Sequence, residues 1–132
     1  MKNKCVLVTG SSSGIGCEIT TKLLNLGAKV IGIARNHNRC KLKNENYIKY
    51  NCDVSVHSKL EIVLKQIIKT HPEINSLVSN AGYGNFGPIE NFSTLQINNF
   101  MDTNLISHMV ITKLLLPHFK KIKIGDIIFI GS

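Results

Sequence analysis

Three glycines in the spacing Gly-x-x-x-Gly-x-Gly stand near the amino terminus, at Gly10, Gly14 and Gly16. The apolar run 5–8 precedes them, and a helical pattern of apolar residues follows them. Glycine lacks a Cβ and tolerates positive φ, so a turn built from it can approach a phosphate group closely. The following helix begins with unpaired N–H groups and the positive end of its dipole. This layout favours a site for the pyrophosphate of a dinucleotide; a turn that only connects a strand to a helix is the alternative.

Polar residues also follow the later apolar runs of the chain. Arg35 and Asn80 stand directly after such a run, and Asp53 and Ser132 stand two residues after the end of one. In a parallel sheet the carboxyl ends of all strands meet at one edge, where ligands bind. The convergence of five such segments is a stronger indication of a ligand site than the glycine turn alone.

Hydrophobic periodicity predicts the elements that position these residues. Short apolar runs predict strands over 4–8, 29–34, 47–51, 74–79 and 127–130. Apolar residues three or four apart predict helices over 14–25 and 56–70, and a longer helical region over 94–119 that bends near Asn99. The alternation of strands and helices predicts an α/β fold, a Rossmann-type doubly wound parallel sheet with five strands in the order 3-2-1-4-5.

Length and charge narrow the class of protein. At 132 residues the chain is long enough for one domain with a buried core. The formal net charge of +8 suggests nucleic acid as a partner. The lysines are scattered, however, so a solvated basic surface is preferred and a basic nucleic-acid binder is the weaker alternative. The apolar stretch after Lys4 is too short for a signal peptide, and no segment has the length of a membrane span, so we expect a cytoplasmic protein without membrane contacts.

The four cysteines, Cys5, Cys17, Cys40 and Cys52, show no Cys-x-x-Cys pairing. We expect them to be reduced and mostly buried. His37 and Cys40 are close in sequence, but no second pair of ligands stands at a suitable spacing. No metal site is therefore expected.

Together these motifs resemble the short-chain dehydrogenase/reductase family over nearly the whole chain. Residues 9–16 are similar to its nucleotide fingerprint, 80–82 to its central Asn-Ala-Gly motif, and 53–54 to its adenine-contacting pair. The resemblance implies one NAD(P)-binding Rossmann domain over residues 1–132. The implied cofactor contacts are Gly10, Ser12, Ser13, Gly14, Ile15, Gly16, Arg35, Asp53, Val54, Asn80, Ala81 and Gly82. As alternatives, Asp53 caps a helix and Asn80 is an ordinary loop residue.

The residues after the second predicted strand bear on the choice of cofactor. An NAD site typically has a carboxylate there for the ribose hydroxyls, but the sequence reads Ala34-Arg35-Asn36 and has no acid before Glu45. Arg35 can make a forked, charge-assisted contact with a 2′-phosphate. Further cations follow at Arg39, Lys41 and Lys43. NADP is therefore expected in preference to NAD.

The resemblance also implies catalytic roles for Asn104 and Ser132. In the family the asparagine holds a water of a proton relay through its backbone carbonyl, and the serine hydrogen-bonds the substrate carbonyl. The implied reaction is hydride transfer between NADPH and a carbonyl or alcohol substrate. In this family a Tyr-x-x-x-Lys segment beyond the serine donates the proton. Tyr47, Tyr50 and Tyr83 are the chain's tyrosines, and none has a lysine four residues on.

We therefore expect an amino-terminal portion of such an oxidoreductase, incomplete relative to the family and truncated or split. Its expected partners are a second copy or a complementing chain, and its expected substrate, once completed, is a small carbonyl or alcohol. A non-catalytic dinucleotide-binding or interaction module is the alternative.

Overall fold

The computed structural model describes residues 1–131, and its centre is a sheet of five parallel strands. The strands are β1 (Cys5–Thr9), β2 (Lys29–Ala34), β3 (Tyr47–Asn51), β4 (Ser76–Ser79) and β5 (Asp126–Phe129). They lie in the order β3-β2-β1-β4-β5, which confirms the predicted topology. Leu7 at the centre of β1 pairs with Ile31 of β2 and with Leu77 of β4.

Four helices flank the sheet. They are α1 (Gly14–Asn25), α2 (His57–Thr70), α3 (Thr94–Met101) and α4 (Ser107–Ile122). A 3₁₀ turn (Ile89–Asn91) precedes α3, and a π-helical turn (Asp102–Ile106) joins α3 to α4. Within residues 1–131, no helix has the length and apolar character needed to cross a membrane.

Side chains of alternate residues in β1 point to opposite faces of the sheet, and each face has its own core. Leu7 lies on the face covered by α2 and α4, where Leu64 and Leu115 are fully buried. Val8 lies on the other face, where it belongs to a cluster with Leu24 of α1. Both faces of β1 are buried, which is why all five of its residues are inaccessible and its sequence is continuously apolar until Thr9.

The end of α1 follows the predicted glycine signal. Gly27 has φ +81°, and its N–H donates to the carbonyl of Leu24. The N–H of Ala28 donates to the carbonyl of Leu23. These two bonds form a Schellman motif, which satisfies carbonyls at the end of the helix and turns the chain into β2.

The helical region 94–119 departs from the prediction in two respects. The irregular turn is not at Asn99 but begins at Asp102, and helix α4 continues to Ile122. In this turn the N–H of Ser107 donates to the carbonyl of Asp102, five residues earlier, as in a π-helix. The turn coincides with long-range contacts, because the same carbonyl lies 3.2 Å from Nε2 of His57. Such contacts leave no periodic signal in the sequence.

The expectation of reduced cysteines is wrong for two of the four. Cys17 and Cys40 form a disulfide with their Cα atoms 6.1 Å apart, whereas Cys5 and Cys52 are free and buried. The pair is 23 residues apart, and the fold brings the first turn of α1 beside the loop after β2. Spacing alone does not reveal such a pairing, because it depends on how the βαβ unit packs.

Candidate functional site

A cleft of about 1190 Å³ opens at the carboxyl ends of the strands. Segments that follow all five strands line it, together with residues from α3, the π-helical turn and α4. The structure therefore brings together the residues for which the sequence predicted cofactor contacts. Those that line the cleft are Gly10, Ser12, Ser13, Gly14, Ile15, Arg35, Asp53, Val54, Asn80, Ala81 and Gly82.

The glycine turn has the backbone geometry that its spacing predicted. Gly10 and Gly14 have φ of +67° and +50°, values that favour glycine. Gly16 is buried behind the turn, and a Cβ there would lie 2.1 Å from the carbonyl oxygen of Gly10. Only glycine permits this close approach between α1 and the turn. Gly14 and Ile15, the first residues of α1, line the cleft, so the amino-terminal end of the helix borders it.

Thr9 and Asn80 hold the ends of β1 and β4 together. Thr9 Oγ1 accepts hydrogen bonds from the backbone N–H groups of Asn80 and Ala81, both at 2.9 Å. In return, Asn80 Nδ2 donates to the carbonyl of Thr9 at 3.1 Å. The Asn80 side chain is thus engaged in shaping the cleft wall. The sequence analysis included Thr9 in the fingerprint 9–16 but not among the cofactor contacts, and it did not predict this bond to the loop after β4.

Arg35 lies directly after β2, the strand next to β1. Its side chain is exposed and lines the cleft, and none of the salt bridges within residues 1–131 involves it. Arg39, Lys41 and Lys43 are exposed along the following loop. This side of the cleft is therefore cationic and has guanidinium donors available to an anion.

Asp53 and Val54 lie beside Arg35 on the rim that follows β3. Asp53 Oδ1 accepts from the N–H of Ser55 at 3.0 Å and from its hydroxyl at 2.7 Å. Asp53 is therefore a local turn former, but it does not cap α2, whose N-cap is Val56. Val54 is buried and adds to the apolar wall of the cleft.

Asn104 lies in the π-helical turn and reaches across to the loop after β4. Its Oδ1 accepts from the N–H of Tyr83 at 2.9 Å, and its Nδ2 donates to the carbonyl of Tyr83 at 2.7 Å. This pair of bonds fastens the loop that carries Gly82 to the helical side of the cleft. The predicted catalytic serine, Ser132, lies outside the described residues.

His108 is a cleft residue that the sequence analysis did not single out. Its Nδ1 lies 2.6 Å from Ser79 Oγ, and its Nε2 lies 3.0 Å from the carbonyl oxygen of Ala81. A neutral imidazole satisfies both contacts, because Nε2–H donates to the carbonyl and Nδ1 accepts from the hydroxyl. Burial lowers the pKa of His108, which favours this neutral form. His108 thereby ties α4 to the end of β4.

A second buried network of hydrogen bonds contacts the glycine turn. The hydroxyl of Tyr47 lies 3.1 Å from Ser11 Oγ and 3.2 Å from His37 Nδ1, and His37 Nε2 lies 3.2 Å from the carbonyl oxygen of Tyr50. Burial raises the pKa of Tyr47 and lowers the pKa of His37, so both are favoured as neutral groups. The network joins the turn to the loop that bears Arg39.

Comparison with known proteins agrees with this architecture. The family model for short chain dehydrogenase matches residues 4–132. The 3-oxoacyl-[acyl-carrier-protein] reductase FabG of Salmonella typhimurium is 34% identical over 136 residues, which cover 99% of this chain and 55% of that protein. This chain spans about half the length of the curated relatives it matches.

Solved structures superpose closely on the chain. A metagenomic short-chain oxidoreductase in complex with NADP has a TM-score of 0.92 at 28% identity, covering 99% of this chain and 63% of that one. A short chain dehydrogenase from Leptospira borgpetersenii with bound NAD⁺ also has a TM-score of 0.92, covering 100% of this chain and 52% of that one. Its 22% identity shows the fold alone. With the strand order, the glycine turn and the family match in agreement, the chain belongs to the short-chain dehydrogenase family.

Proposed function

We propose that the chain binds NADP(H) in the cleft and forms the nucleotide-binding part of an oxidoreductase. The observation that carries the proposal is that the glycine turn and Arg35 line the same cleft. A Cβ at Gly14 would meet nothing within 4 Å, and Gly14 lines the cleft at the start of α1, where the N–H groups of a helix suit a pyrophosphate. An exposed guanidinium without a salt bridge within residues 1–131 suits the 2′-phosphate that distinguishes NADP from NAD.

The remaining cleft residues fit the other parts of such a cofactor. The rim at Asp53 and Val54 would hold the adenine, and the clamp formed by Thr9 and Asn80 would support the segment along which the cofactor lies. When bound, the cofactor donates or accepts hydride at its nicotinamide ring. Similar proteins have been solved with NADP and with NAD⁺, so the preference for NADP depends on Arg35 and the cationic loop.

Two residues of the chain are proposed to act on the substrate, a small carbonyl or alcohol. Ser132 would hydrogen-bond the substrate oxygen, and the backbone carbonyl of Asn104 would hold a water for proton transfer. None of Tyr47, Tyr50 and Tyr83 has a lysine four residues on, so the proton donor is proposed to come from a completing segment or a partner chain. In the structure Tyr47 is buried, and the Tyr50 hydroxyl is hydrogen-bonded to His71. Tyr83 is the tyrosine that lines the cleft.

A dinucleotide-binding module without catalysis is the second candidate, because it needs only the cleft that Gly10, Gly14 and Arg35 line. One experiment separates the two. NADPH is titrated against the chain by fluorescence, and the loss of NADPH absorbance is followed with a panel of small ketones and aldehydes. Saturable binding with turnover supports the oxidoreductase, and saturable binding without turnover supports the module. Absence of saturable binding would contradict both.

A further inference from the structure

The loop after β2 is joined to α1 by the disulfide between Cys17 and Cys40. Cys17 directly follows Gly16 in the first part of α1, and Cys40 lies five residues after Arg35. The bond therefore connects the helix that begins at the glycine turn with the loop that carries the cations. Both ends of the bridge belong to elements that form the proposed cofactor cleft.

Cys40 is a buried residue in the largely exposed loop after β2. Arg39 and Lys41 on either side of it are exposed, whereas Cys40 is 1% exposed. The stretch forms neither helix nor strand, and on either side of the bridge it is held by hydrogen bonds at His37 and at the carbonyl of Leu42. The bridge lies between these two anchors, so it limits the positions that the neighbouring cationic side chains reach.

The two other cysteines are poor competitors in thiol–disulfide exchange. Cys5 and Cys52 are buried, and burial raises the pKa of Cys5 to about 11 and also raises the pKa of Cys52. Thiolates are the reacting species in exchange, so both react slowly. Cys17 is only half-buried, so it is more accessible to a small disulfide than Cys5 and Cys52 are.

We propose that Cys17 and Cys40 form a reversible thiol–disulfide switch that sets the affinity of the cleft for a cofactor with a 2′-phosphate; this inference rests on the proposed binding of NADP(H). A bridge with one half-buried cysteine is expected to exchange with small thiols, because thiol–disulfide exchange depends on access to a sulfur. Its oxidant is a low-molecular-weight disulfide such as oxidised glutathione.

The exchange proceeds in two steps. The thiolate of Cys17 attacks one sulfur of the small disulfide, which forms a mixed disulfide and releases one small thiol. The thiolate of Cys40 then attacks Sγ of Cys17, which forms the bridge and releases the second small thiol. The two cysteine thiols lose two electrons and two protons, and the small disulfide takes them up. Reduced glutathione or dithiothreitol reverses the reaction.

Reduction breaks the covalent bond between Cys40 and α1. The loop that carries Arg39, Lys41 and Lys43 then moves more freely, so it must become ordered when the cofactor binds. We expect NADPH to bind at least about fivefold more weakly to the reduced chain than to the oxidised chain, because immobilising flexible side chains opposes binding. NADH lacks the 2′-phosphate and makes no use of the loop cations. Its affinity should change by less than about twofold.

The first arm of the test measures the bridge itself in the full chain. After oxidised glutathione, alkylation under denaturing conditions and intact mass should show two modified cysteines, and peptide mapping should place them at Cys5 and Cys52. After dithiothreitol, four cysteines should be modified under denaturing conditions. Four modified cysteines in the oxidised sample, or a different bridged pair, would overturn the proposal.

The second arm measures dissociation constants for NADPH and NADH in both states. Cys17→Ser and Cys40→Ser should bind NADPH like the reduced wild type under both conditions, and Cys5→Ala should still switch. Circular dichroism checks that each variant is folded, and the half-buried Cys17 is the site where serine disturbs packing least. Equal NADPH affinity in both states overturns the switch and leaves the proposed function standing. Absence of NADPH binding in both states contradicts the proposed function and, with it, the switch.

Discussion

At the residue scale, the cleft contains side chains of two kinds. Asn80 and Asn104 use their amides to hold backbone segments together, so their side chains are committed within the protein. Arg35 instead is exposed and has no salt bridge within residues 1–131. Because its charge has no salt-bridge partner within residues 1–131, Arg35 is available to a ligand and can determine which cofactor binds.

Replacing Arg35 with aspartate is expected to invert the cofactor preference. The change removes the proposed donors to the 2′-phosphate and adds a carboxylate that suits ribose hydroxyls. NADPH affinity should fall about 10- to 100-fold, whereas NADH affinity should hold or rise. Parallel fluorescence titrations with both cofactors measure the ratio. Lys120→Asp, at an exposed position in the last turn of α4, is the control with the same change of charge. An unchanged ratio for Arg35→Asp contradicts the NADP assignment.

His108 is expected to make the stability of the chain depend on pH. Burial lowers its pKa in the folded state, so the unfolded chain binds a proton more readily. Its stabilising contribution is therefore present above the ordinary histidine pKa and is lost as the pH falls through the lowered pKa. His37 and His71, whose pKa values burial also lowers, act in the same direction.

The measurement is urea unfolding at a series of pH values from 7.5 to about 5, the range in which an unperturbed histidine titrates. His108→Gln should show a shallower fall in stability on acidification than the wild type, and His37 and His71 account for the slope that remains. A variant with the wild-type slope would show that His108 does not contribute.

At the scale of elements, the cleft depends on close contacts between segments distant in sequence. The turn after β1 packs on α1 at Gly16, and the loop after β4 is fastened to the π-helical turn by Asn104. The spacing of the glycines predicted the first contact, because backbone approach requires a missing Cβ. The second was not predicted, since an asparagine inside an apolar helical pattern says nothing about its partner.

Gly16→Ala should be strongly destabilising. The new Cβ would lie 2.1 Å from Gly10 O and 2.5 Å from Asn80 Nδ2, so the backbone of the glycine turn must shift to accommodate it. We expect a loss of about 2 kcal/mol or more in the free energy of unfolding, together with weaker NADPH binding. Gly84→Ala is the stability control, because its Cβ would make an ordinary contact of 3.5 Å with the ring of Phe86. Equal stability of the two variants would contradict the packing argument.

Asn104→Ala should loosen the loop after β4. The substitution removes the two hydrogen bonds to the backbone of Tyr83, so this segment should open more often. Hydrogen exchange of the Tyr83 amide should become faster by about tenfold, which corresponds to about 1.4 kcal/mol, within the range expected for two hydrogen bonds. Asn99→Ala, also on the cleft lining, is the matched control. Unchanged exchange at Tyr83 in Asn104→Ala would show that other contacts hold the loop.

At the scale of the whole molecule, the β5 side of the sheet exposes apolar surface. Ile128 and Phe129 are 52% and 55% exposed, and Met109 on the neighbouring part of α4 is 60% exposed. Leu105, Met109 and Phe129 line an apolar groove between α4 and β5. An exposed edge strand beside an apolar groove promotes association.

We therefore expect the isolated chain to self-associate and to unfold at modest denaturant concentrations. Sedimentation velocity across a range of concentrations should show species larger than the monomer. Met109→Lys should shift the distribution toward monomer, because a charge in the groove must be desolvated on association. A monodisperse wild-type monomer with a sharp cooperative melt contradicts this prediction.

The sequence alone determined the strand order, the glycine turn and the set of residues that gather at one edge of the sheet. Apolar periodicity and glycine spacing are local signals, and the parallel βαβ topology follows from them with few alternatives. The tertiary structure alone decided three features: the bridge between Cys17 and Cys40, the hold of Asn104 on Tyr83, and the place of His108 between Ser79 and Ala81. Each joins residues more than 20 positions apart. Contacts of that range depend on how packed helices and strands are placed against one another, and no local pattern of residues encodes them.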